Sequence, residues 1–534
     1  MRARSRWVAS IAAATSLATA LVGWSTLGTG APAAATSGMR SPIQHVVEIM
    51  LENHTFDNLF GSFPGANGIP AGTEFPNPST NYAAAPVAPI PAPANVGDTV
   101  DLNHNRAAEI EAMDYRPALL AGGTGYFTSA TPSNAYLTGK PGWKMNYYTT
   151  LPTNGLASIT TFGKSVEPNL WDLAQHFVLA DNNFQPAIGP TQPNRIYAVA
   201  GTADAWLSDS PPSSGSFPIR TVFDQLTQHG LSWGIFQGDY NGPPPTQEGN
   251  GFVTHWNPAW YTPVLQDKHL WNDVANTSQF VADVQNNQLP NFSFVVPTWL
   301  YSEHPPTDIQ LGDAWVGQLV SMIEHSPEWK STAIFITYDE GGGFWDHVAP
   351  PIAQRFGYGT RTPMVVISPW VRPGVFSKQT TDMGILALMD RLWGMHPLTK
   401  LVARQNDLLG MFDFHQAPIA PVSLPDVPSD TIQVADPAEN LAATPGTPLV
   451  VNVEAKTAGL TTDTSVSGTV NLTVVGPSGA PSATYPASVD LVDGTAQATL
   501  TFPTAGYWRV IATGPNGAQG WSTFDVNVND DTTP

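Results

Sequence analysis

The stretch A-I-F-I-T-Y-D-E-G-G-G-F-W-D-H-V-A-P-P occupies residues 333–351 and begins with six apolar, aromatic or β-branched residues. A run of this composition, closed by glycines, predicts a buried strand. Similar runs lie at residues 43–51 and 364–368, and stretches typical of amphipathic helices lie at residues 314–324 and 384–393. Buried strands that alternate with helices predict an α/β domain with a layered, mostly parallel sheet.

The composition changes after about residue 414, which indicates a second domain in this chain of 534 residues. Residues 417–448 are dense in Pro, Ala, Asp and Thr and are predicted to form a linker that few contacts cross. Residues 449–534 contain short alternating runs separated by turns such as V-D-G-T and G-P-N-G. This pattern predicts an immunoglobulin-like β-sandwich behind a catalytic domain at residues 36–416.

Two tryptophans of the predicted sandwich, Trp508 and Trp521, have two possible roles. Packing in the core of the sandwich is the expected one. The alternative is an exposed patch that contacts a glycan or a lipid and so attaches the protein to a cell surface.

The N-terminus has the pattern of a secretory signal peptide at residues 1–35. Arg2, Arg4 and Arg6 precede an apolar run over residues 7–23, and small residues up to Ala35 supply a cleavage site. A membrane anchor is the alternative, but the run is short and is interrupted by Ser and Thr. No later stretch is long enough to span a membrane, so a secreted or extracellular protein, in some settings bound to the cell wall, is expected.

The charge balance limits the choice of partner. Acidic residues outnumber basic ones 43 to 22, and there is no cysteine. A nucleic acid is therefore not an expected partner, since general electrostatics would repel it. Disulfides, cysteine metal ligands and a cysteine nucleophile are excluded. A bound metal ion could still create a local positive site.

Acidic or polar side chains follow two of the predicted strands at the point where each strand ends. Glu52 and Asn53 follow the first, and Asp339 and Glu340 follow the run at residues 333–338. Ligands in open α/β sheets gather outside the carboxyl ends of the strands. Carboxylates brought together there would repel one another unless a cation lay between them, and oxygen ligands favour a hard divalent ion.

A second motif, G-P-T-Q-P-N-R, occupies residues 189–195. Thr191 is a good N-cap residue and Pro193 suits a first helical turn, so a helix is expected to begin here. A helix N-terminus receives phosphate groups well. If a metal also contacts its oxygen, Thr191 becomes a competent nucleophile.

Histidines supply a third element. His45 and His176 lie in an apolar strand and an apolar helix and are expected to be structural. Loop histidines near a phosphate site can donate hydrogen bonds to phosphoryl oxygens or protonate a leaving group. Four histidines lie in polar, Pro-rich or Asn-rich loop sequence: His104, His255, His304 and His347.

The motifs E-N-H-T-F-D-N-L-F-G, G-P-T-Q-P-N-R, S-E-H-P-P and Y-D-E-G-G-G-F-W-D-H-V-A-P-P, in this order, resemble those of the bacterial phosphoesterase family. That family contains non-specific phospholipases C and a related acid phosphatase, and it shares the alkaline-phosphatase-like fold. The resemblance covers about residues 40–400. It implies that Thr191 is the nucleophile and that His104, His304 and His255 contact the phosphate. It also implies a metal site formed by Glu52, Asn53, Asp339 and Glu340, with Thr191 touching the ion.

The sequence departs from the family pattern at two places. The first motif of relatives commonly reads E-N-R-S-F-D-H-Y-F-G, so His54, Thr55 and Asn58 are substitutions beside the ligands. Relatives usually carry D-H-T-S where this chain has T-D-M-G at residues 381–384. The loss of that histidine affects the expected pocket shape and substrate.

The sequence thus predicts a metal-dependent hydrolase of phosphoric esters that works through a phosphothreonine intermediate. The motifs do not separate a phospholipase C from an acid phosphatase, so the substrate is a phosphate ester, with a phospholipid as one option. The alternative class is a cell-surface binding protein that keeps the fold with weakened chemistry. The complete set of Thr191 and four metal-ligand candidates favours the enzyme.

Overall fold

The structure is a computed structural model. It describes residues 40–77, 85–92, 101–113, 145–151, 154–242, 252–263, 267–351, 356–425, 431–435, 442–477, 479–515 and 518–526. The predicted signal peptide at residues 1–35 lies outside the described residues. Within them, no helix combines the length and the apolar character needed to cross a membrane.

The first domain is built on an eight-stranded sheet with the order β10-β4-β9-β8-β1-β7-β5-β6. Its central pairs, β1 with β8 and β1 with β7, are parallel, and only β9 runs antiparallel to its neighbours β8 and β4. The mostly parallel α/β sheet expected from the sequence is confirmed. The strands are β1 (His45–Leu51), β2 (Ile90–Pro91), β3 (Thr160–Thr161), β4 (Val178–Ala180), β5 (Trp233–Gln237), β6 (Val274–Ala275), β7 (Phe292–Val296), β8 (Thr332–Tyr338), β9 (Met364–Ile367) and β10 (Gly374–Phe376), of which β2 and β3 form a separate pair.

The central strands are buried on both faces, as their continuous apolar composition predicts. The helix predicted at residues 314–324 begins earlier, at Ile309, because the Asp308 side chain caps it by accepting a hydrogen bond from the Gln310 backbone amide at 3.1 Å. The α-helices are α1 (Phe56–Phe60), α2 (Arg106–Ala112), α3 (Pro168–His176), α4 (Thr191–Ala200), α5 (Val222–His229), α6 (Pro258–Tyr261), α7 (Thr277–Gln285), α8 (Ile309–Glu324) and α9 (Met383–Trp393).

The second domain, called the β-domain below, is one mostly antiparallel sheet with the order β15-β14-β17-β18-β11-β13-β16. Trp508 is buried, packs on Phe502 and donates a hydrogen bond to the Thr504 carbonyl, which is the expected core role. The side chain of Trp521 lies outside the described residues. The strands are β11 (Thr431–Ala435), β12 (Ala442–Ala443), β13 (Leu449–Lys456), β14 (Gly468–Val475), β15 (Ser488–Leu491), β16 (Thr495–Leu500), β17 (Gly506–Thr513) and β18 (Gln519–Val526).

The prediction that residues 417–448 form only a linker was wrong. Strand β11 lies inside that range and pairs with both β13 and β18. Five alternating residues, T-I-Q-V-A, are too few to change the average composition of a Pro- and Asp-rich segment, so the strand was missed. Its pairing means that the β-domain begins at Thr431 and not at Leu449.

The expectation of few contacts between the domains was also wrong. Gly38–Pro534 form one compact unit. The Trp315 indole of α8 donates to the Ala458 carbonyl at 2.9 Å, and the Thr277 hydroxyl of α7 donates to the Gly459 carbonyl at 2.8 Å. Gly459 packs so closely that an added Cβ would lie 2.7 Å from Ser278 Cα. The β-domain is therefore docked on the first domain through the loop that follows β13.

Candidate active site at the sheet edge

The parallel pairing of β1 and β8 brings the two predicted acidic segments together. Leu51 is opposite Tyr338 in the register, and the Asp339 amide donates to the Leu51 carbonyl at 3.3 Å. Glu52 and Asp339 therefore leave neighbouring strands at the same sheet edge, as the sequence predicted. Both side chains are completely buried.

Beside these carboxylates, the backbone of Asn53 passes very close to the backbone of the triple glycine. Asn53 has a φ of +62°, the left-handed region that Asn tolerates better than most residues. Gly342 has a φ of +60°, and an added Cβ would lie 2.3 Å from the Asn53 carbonyl oxygen. Only glycine allows this approach, which explains why the D-E-G-G-G sequence follows the strand.

Thr191 lies at the start of α4, one residue further into the helix than predicted. The N-cap position belongs to Pro190, so Thr191 is the first helical residue and its side chain is not used for capping. Its hydroxyl instead donates to Glu52 Oε2 at 3.1 Å. The preceding turn is fixed by Asn194, which accepts from the Ala187 amide and donates to the Gly189 and Pro190 carbonyls.

Arg195 is a site residue that the sequence argument quoted but gave no role. It is completely buried, pairs with Glu52 through Nε at 2.8 Å and through a second guanidinium nitrogen, and places Nε 3.4 Å from Asp339 Oδ2. The signal was available, because Thr191 and Arg195 are four residues apart in one helix. Such residues share a helix face, so both must point at the sheet edge.

The remaining charges of this cluster are not balanced by Arg195 alone. Burial and the neighbouring Asp339 raise the pKa of Glu52, and burial and Glu109 raise the pKa of Glu340. Among the described residues, four buried side-chain atoms of Asn53, Asp339 and Glu340 have no hydrogen-bond partner: both amide atoms of Asn53, Asp339 Oδ2 and Glu340 Oε1. Unpartnered buried oxygens are the ligands that a hard divalent cation prefers. Within the described part of the chain, Glu52, Asp339 and Glu340 nevertheless do not form a group whose ligand atoms all lie within 4.8 Å of one another.

His104 and His304 lie on one side of the acidic cluster. His104 Nε2 is 3.6 Å from Glu340 Oε1, and the two imidazole rings are 6.1 Å apart. His104 Nδ1 contacts the Leu102 carbonyl at 2.6 Å, and His304 Nδ1 contacts the Pro305 carbonyl at 2.5 Å. Because a carbonyl can only accept, each Nδ1 carries a proton, and each Nε2 is left for the site.

The same two histidines also belong to a group with metal-ligand geometry. Asp101, His104 and His304 place one ligand atom each within 4.8 Å of one another. His255 lies further along, with its ring 6.2 Å from that of Trp256, and burial lowers its pKa. The Arg195 guanidinium donates to the carbonyl of the next residue, Trp256, at 3.5 Å, which places His255 near the acidic cluster.

His347 belongs to a different cluster. It contacts Asp57 Oδ2 at 2.6 Å, and the Arg361 guanidinium bonds both Asp57 and Asp346. Asp57, Asp346 and His347 also have metal-ligand spacing, but the buried Arg361 already supplies the positive charge there. This cluster is structural. His45 Nδ1 donates to the Pro290 carbonyl at 2.9 Å and its Nε2 lies 3.7 Å from Glu328 Oε1, while His176 Nδ1 donates to the Asp172 carbonyl.

The segment at residues 381–384 keeps one acidic group near the site. Asp382 is buried, accepts from Asn183 Nδ2 at 3.2 Å and has a pKa raised to about 8, chiefly by burial and further by Asp339. Thr381 donates to Gln405 Oε1 at 3.0 Å, and Met383 and Gly384 begin α9. The position after Asp382 is therefore an apolar helix residue that is completely buried.

Two residues by which the first motif differs from the family pattern, His54 and Asn58, contact each other. His54 Nδ1 contacts Asn58 Oδ1 at 2.6 Å, its Nε2 contacts the Glu303 carbonyl at 2.8 Å, and its ring stacks on Phe344. Burial lowers the pKa of His54 from 6.5 to about 4. His54 and Asn58 thus change as a pair, and the pair supports the residue next to His304.

His54 is expected to make the protein acid-sensitive. Because the unfolded chain takes up a proton near pH 6.5 and the folded chain only near pH 4, stability falls as the pH drops between these values. The full loss is about 3 kcal/mol for a shift of this size. The measurement is the free energy of unfolding against pH for the wild type and for His54→Gln. Buried carboxyl groups with raised pKa values have the opposite effect on stability, but they are the same in both proteins and cancel when the two free energies of unfolding are subtracted. If this difference did not change with pH, the lowered pKa of His54 would be contradicted.

Replacing Arg195 is expected to destabilise the protein and to make its stability depend more strongly on a bound divalent cation. Arg195→Met leaves Glu52 buried without its partner, a change that costs about 3–5 kcal/mol. Arg361→Met is the matched control, since it removes another completely buried, ion-paired arginine. In thermal unfolding with and without added Mn²⁺ or Ca²⁺, we expect the larger metal-dependent gain in Tm in Arg195→Met. Equal gains in the two variants would show that Arg195 does not share its carboxylates with a cation.

Comparison with known proteins identifies the chain. It belongs to the phosphoesterase family, whose sequence profile matches residues 43–396. It is accordingly an enzyme that hydrolyses phosphoric esters. Non-specific phospholipase C1 of Arabidopsis thaliana is 25% identical over 441 residues, which cover 73% of this chain and 75% of that protein. Phospholipase C B of Mycobacterium tuberculosis is 26% identical over 432 residues, which cover 71% and 80%.

A solved structure of a protein in the alkaline phosphatase superfamily from Vibrio parahaemolyticus is also similar. It is 13% identical, its TM-score is 0.29, and the match covers 56% of this chain and 73% of that one. This similarity concerns the fold alone.

Proposed function

We propose that the protein is a metal-dependent phosphoric ester hydrolase of the phospholipase C type, with Thr191 as its nucleophile. The observation that carries the proposal is the contact of the Thr191 hydroxyl with Glu52, in a buried cluster where Asp339 Oδ2, Glu340 Oε1 and Asn53 Oδ1 accept no hydrogen bond. A hydroxyl held in this way at the start of a helix faces the position where a phosphoryl group would be received.

Thr191 attacks phosphorus, and the ester oxygen leaves from the opposite side. The Glu52 contact orients the attacking oxygen, and the positive end of the α4 dipole stabilises the charge that develops on the phosphoryl oxygens. The resulting phosphothreonine is then hydrolysed, so that each turnover consumes one water and restores Thr191.

Glu52, Asn53, Asp339 and Glu340 would hold one divalent cation, and Thr191 would also contact it. When bound, such a cation lowers the pKa of a coordinated hydroxyl and offsets the charge of the phosphoryl oxygens. Asn53 would supply a neutral ligand oxygen, and its close approach to Gly342 holds its backbone in place. Arg195 orients the Glu52 carboxylate from the other side.

The histidines would act on the phosphoryl group and on the leaving oxygen. His104 and His304 each have Nε2 directed away from the carbonyl that holds Nδ1. Burial lowers the pKa of His304, so it is neutral until an anionic substrate arrives and favours its protonated form. The protonated ring can then donate to a phosphoryl oxygen or protonate the leaving group, with His255 as a further contact.

Hydrolysis of a substrate panel tests this proposal. The purified protein is supplied with Mg²⁺, Ca²⁺, Mn²⁺ or Zn²⁺ in turn and given p-nitrophenyl phosphate, p-nitrophenylphosphorylcholine or phosphatidylcholine vesicles. We expect diester and phospholipid cleavage to exceed monoester cleavage, since the relatives matched over most of the chain are phospholipases C by name. Preference for the monoester would favour an acid phosphatase, and no hydrolysis with any metal would favour the weakened binding protein.

We also infer the finer features of fold and location. Family membership supports an alkaline-phosphatase-like first domain. In the β-domain, the mostly antiparallel pairing of short strands separated by turns fits the sequence pattern that predicts an immunoglobulin-like sandwich. The N-terminal sequence pattern supports export. Because Trp508 is buried, it cannot contribute to a cell-surface contact.

A further inference from the structure

The loop that carries His304 is a compact turn between β7 and α8. The His304 carbonyl accepts from the Thr307 amide at 2.8 Å and from the Thr307 hydroxyl at 2.6 Å, and the His304 amide donates to Ser302 Oγ at 3.1 Å. These bonds tie the loop to itself. The middle of the loop is held by the first domain, since the Ser302 carbonyl accepts from the Glu52 amide at 3.0 Å. The two ends of the loop are held separately.

The first end of this loop is held by the β-domain. The Tyr301 hydroxyl is hydrogen-bonded to Thr431 Oγ1 at 2.9 Å, and both side chains are buried. Tyr301 is three residues before His304, and Thr431 is the first residue of β11. The contact therefore joins the two domains at the start of the loop.

The second end is held by the β-domain as well. Arg509 of β17 places a guanidinium nitrogen 2.9 Å from Asp308 Oδ2, and the same nitrogen contacts Gln310. Asp308 is the N-cap of α8, and both Asp308 and Arg509 are at most 5% exposed. A buried ion pair at this position holds the helix start, and with it the end of the loop.

The distribution of positive charge supports a dedicated contact. Only two basic residues, Lys456 and Arg509, follow Arg404 in the sequence. Lys456 pairs with Glu454 of its own strand at 2.9 Å, whereas Arg509 pairs with Asp308 of the first domain. One of the two cations of the β-domain is therefore used for an interdomain contact.

We propose that Arg509 is a positioning residue of the active site. Together with Thr431 it clamps both ends of the 301–308 loop and so sets the location of His304 against the acidic cluster. From the other side, His54 bonds the Glu303 carbonyl, and Gly312 leaves room for the Glu303 side chain, whose Cγ would lie 2.3 Å from an added Cβ. The effect on catalysis rests on the proposed role of His304, whereas the clamp itself does not.

Hydrogen–deuterium exchange of the full chain tests the clamp without reference to activity. In Arg509→Met we expect exchange of the 301–308 amides to rise about tenfold, with partial recovery in Arg509→Lys. The double variant Tyr301→Phe with Thr431→Val removes only the hydroxyl pair and tests the other end if Arg509→Met folds poorly. Thr277→Val is the matched control, because it deletes an interdomain hydrogen bond outside the loop. Unchanged exchange of the loop, or an equal rise in Thr277→Val, would overturn the proposal.

Steady-state kinetics on p-nitrophenylphosphorylcholine then separate the clamp from the function of His304. We expect Arg509→Met to lower kcat about tenfold with little change in KM, Arg509→Lys to recover part of it, and Thr277→Val to leave it unchanged. His304→Ala is measured alongside. If His304→Ala keeps full kcat, the proposed role of His304 fails. If it loses kcat while Arg509→Met with a loosened loop does not, the positioning role fails.

Discussion

Thr191→Ala is expected to reduce kcat by roughly 10³-fold or more while the protein stays folded. The change removes the attacking oxygen and one contact to the acidic cluster, but Asn194 and Pro190 still form the turn that begins α4. Activity on p-nitrophenylphosphorylcholine and circular dichroism are the two measurements.

Two further variants at this position separate chemistry from shape. Thr191→Val keeps the volume and loses the hydroxyl, so it should match the alanine variant. Thr191→Ser keeps the hydroxyl and should retain part of the activity, together with a phosphoserine that mass spectrometry can detect after acid quenching. Full activity in Thr191→Val would exclude the covalent route.

Asp339→Asn is expected to abolish tight binding of the divalent cation and with it hydrolysis. Asp339 Oδ2 is one of the unpartnered oxygens, and an amide replaces a full negative charge by a dipole at the same place. In the wild type, metal at 100 times its Kd should stabilise the folded protein by about 2.7 kcal/mol. Metal content after dialysis and Tm with and without a chelator measure both effects.

Asp346→Asn is the matched control for the metal prediction. Asp346 is a second completely buried aspartate in the same sequence motif, but it pairs with Arg361. Its replacement should lower stability and leave the metal content unchanged. If chelation changes neither the rate nor the Tm of the wild type, the metal assignment is wrong.

The sequence predicted the sheet and the acidic edge because these depend on short patterns. Continuous apolar runs indicate strands buried on both faces, and parallel pairing places whatever follows them at one edge. Glu52 and Asp339 could therefore be placed together although 287 positions separate them in the chain. Which of them would be paired with an arginine could not be predicted, because Arg195 reaches Glu52 only through the orientation of α4.

The histidines show what such sequence patterns cannot predict. His347 lies in the same motif as Asp339, yet its partner is Asp57. The buried Arg361 also bonds Asp57 and so holds this carboxylate beside His347. Sequence spacing carries no information on which of several loop histidines turns toward a site. The docking of the β-domain was missed for a related reason, since Arg509 and Thr431 are single residues in segments without a catalytic motif.

The clamp on the His304 loop affects the point during synthesis and folding at which the active site can be completed. A chain that emerges N-terminus first presents the nucleophile turn at residues 189–195 long before Arg509 of β17 has been made. Strand β11 in turn needs β18 beside it. If Arg509 positions His304 as proposed, the site would stay incomplete until nearly the whole polypeptide has been translated and folded, so that hydrolysis of esters would begin only after the β-domain has docked.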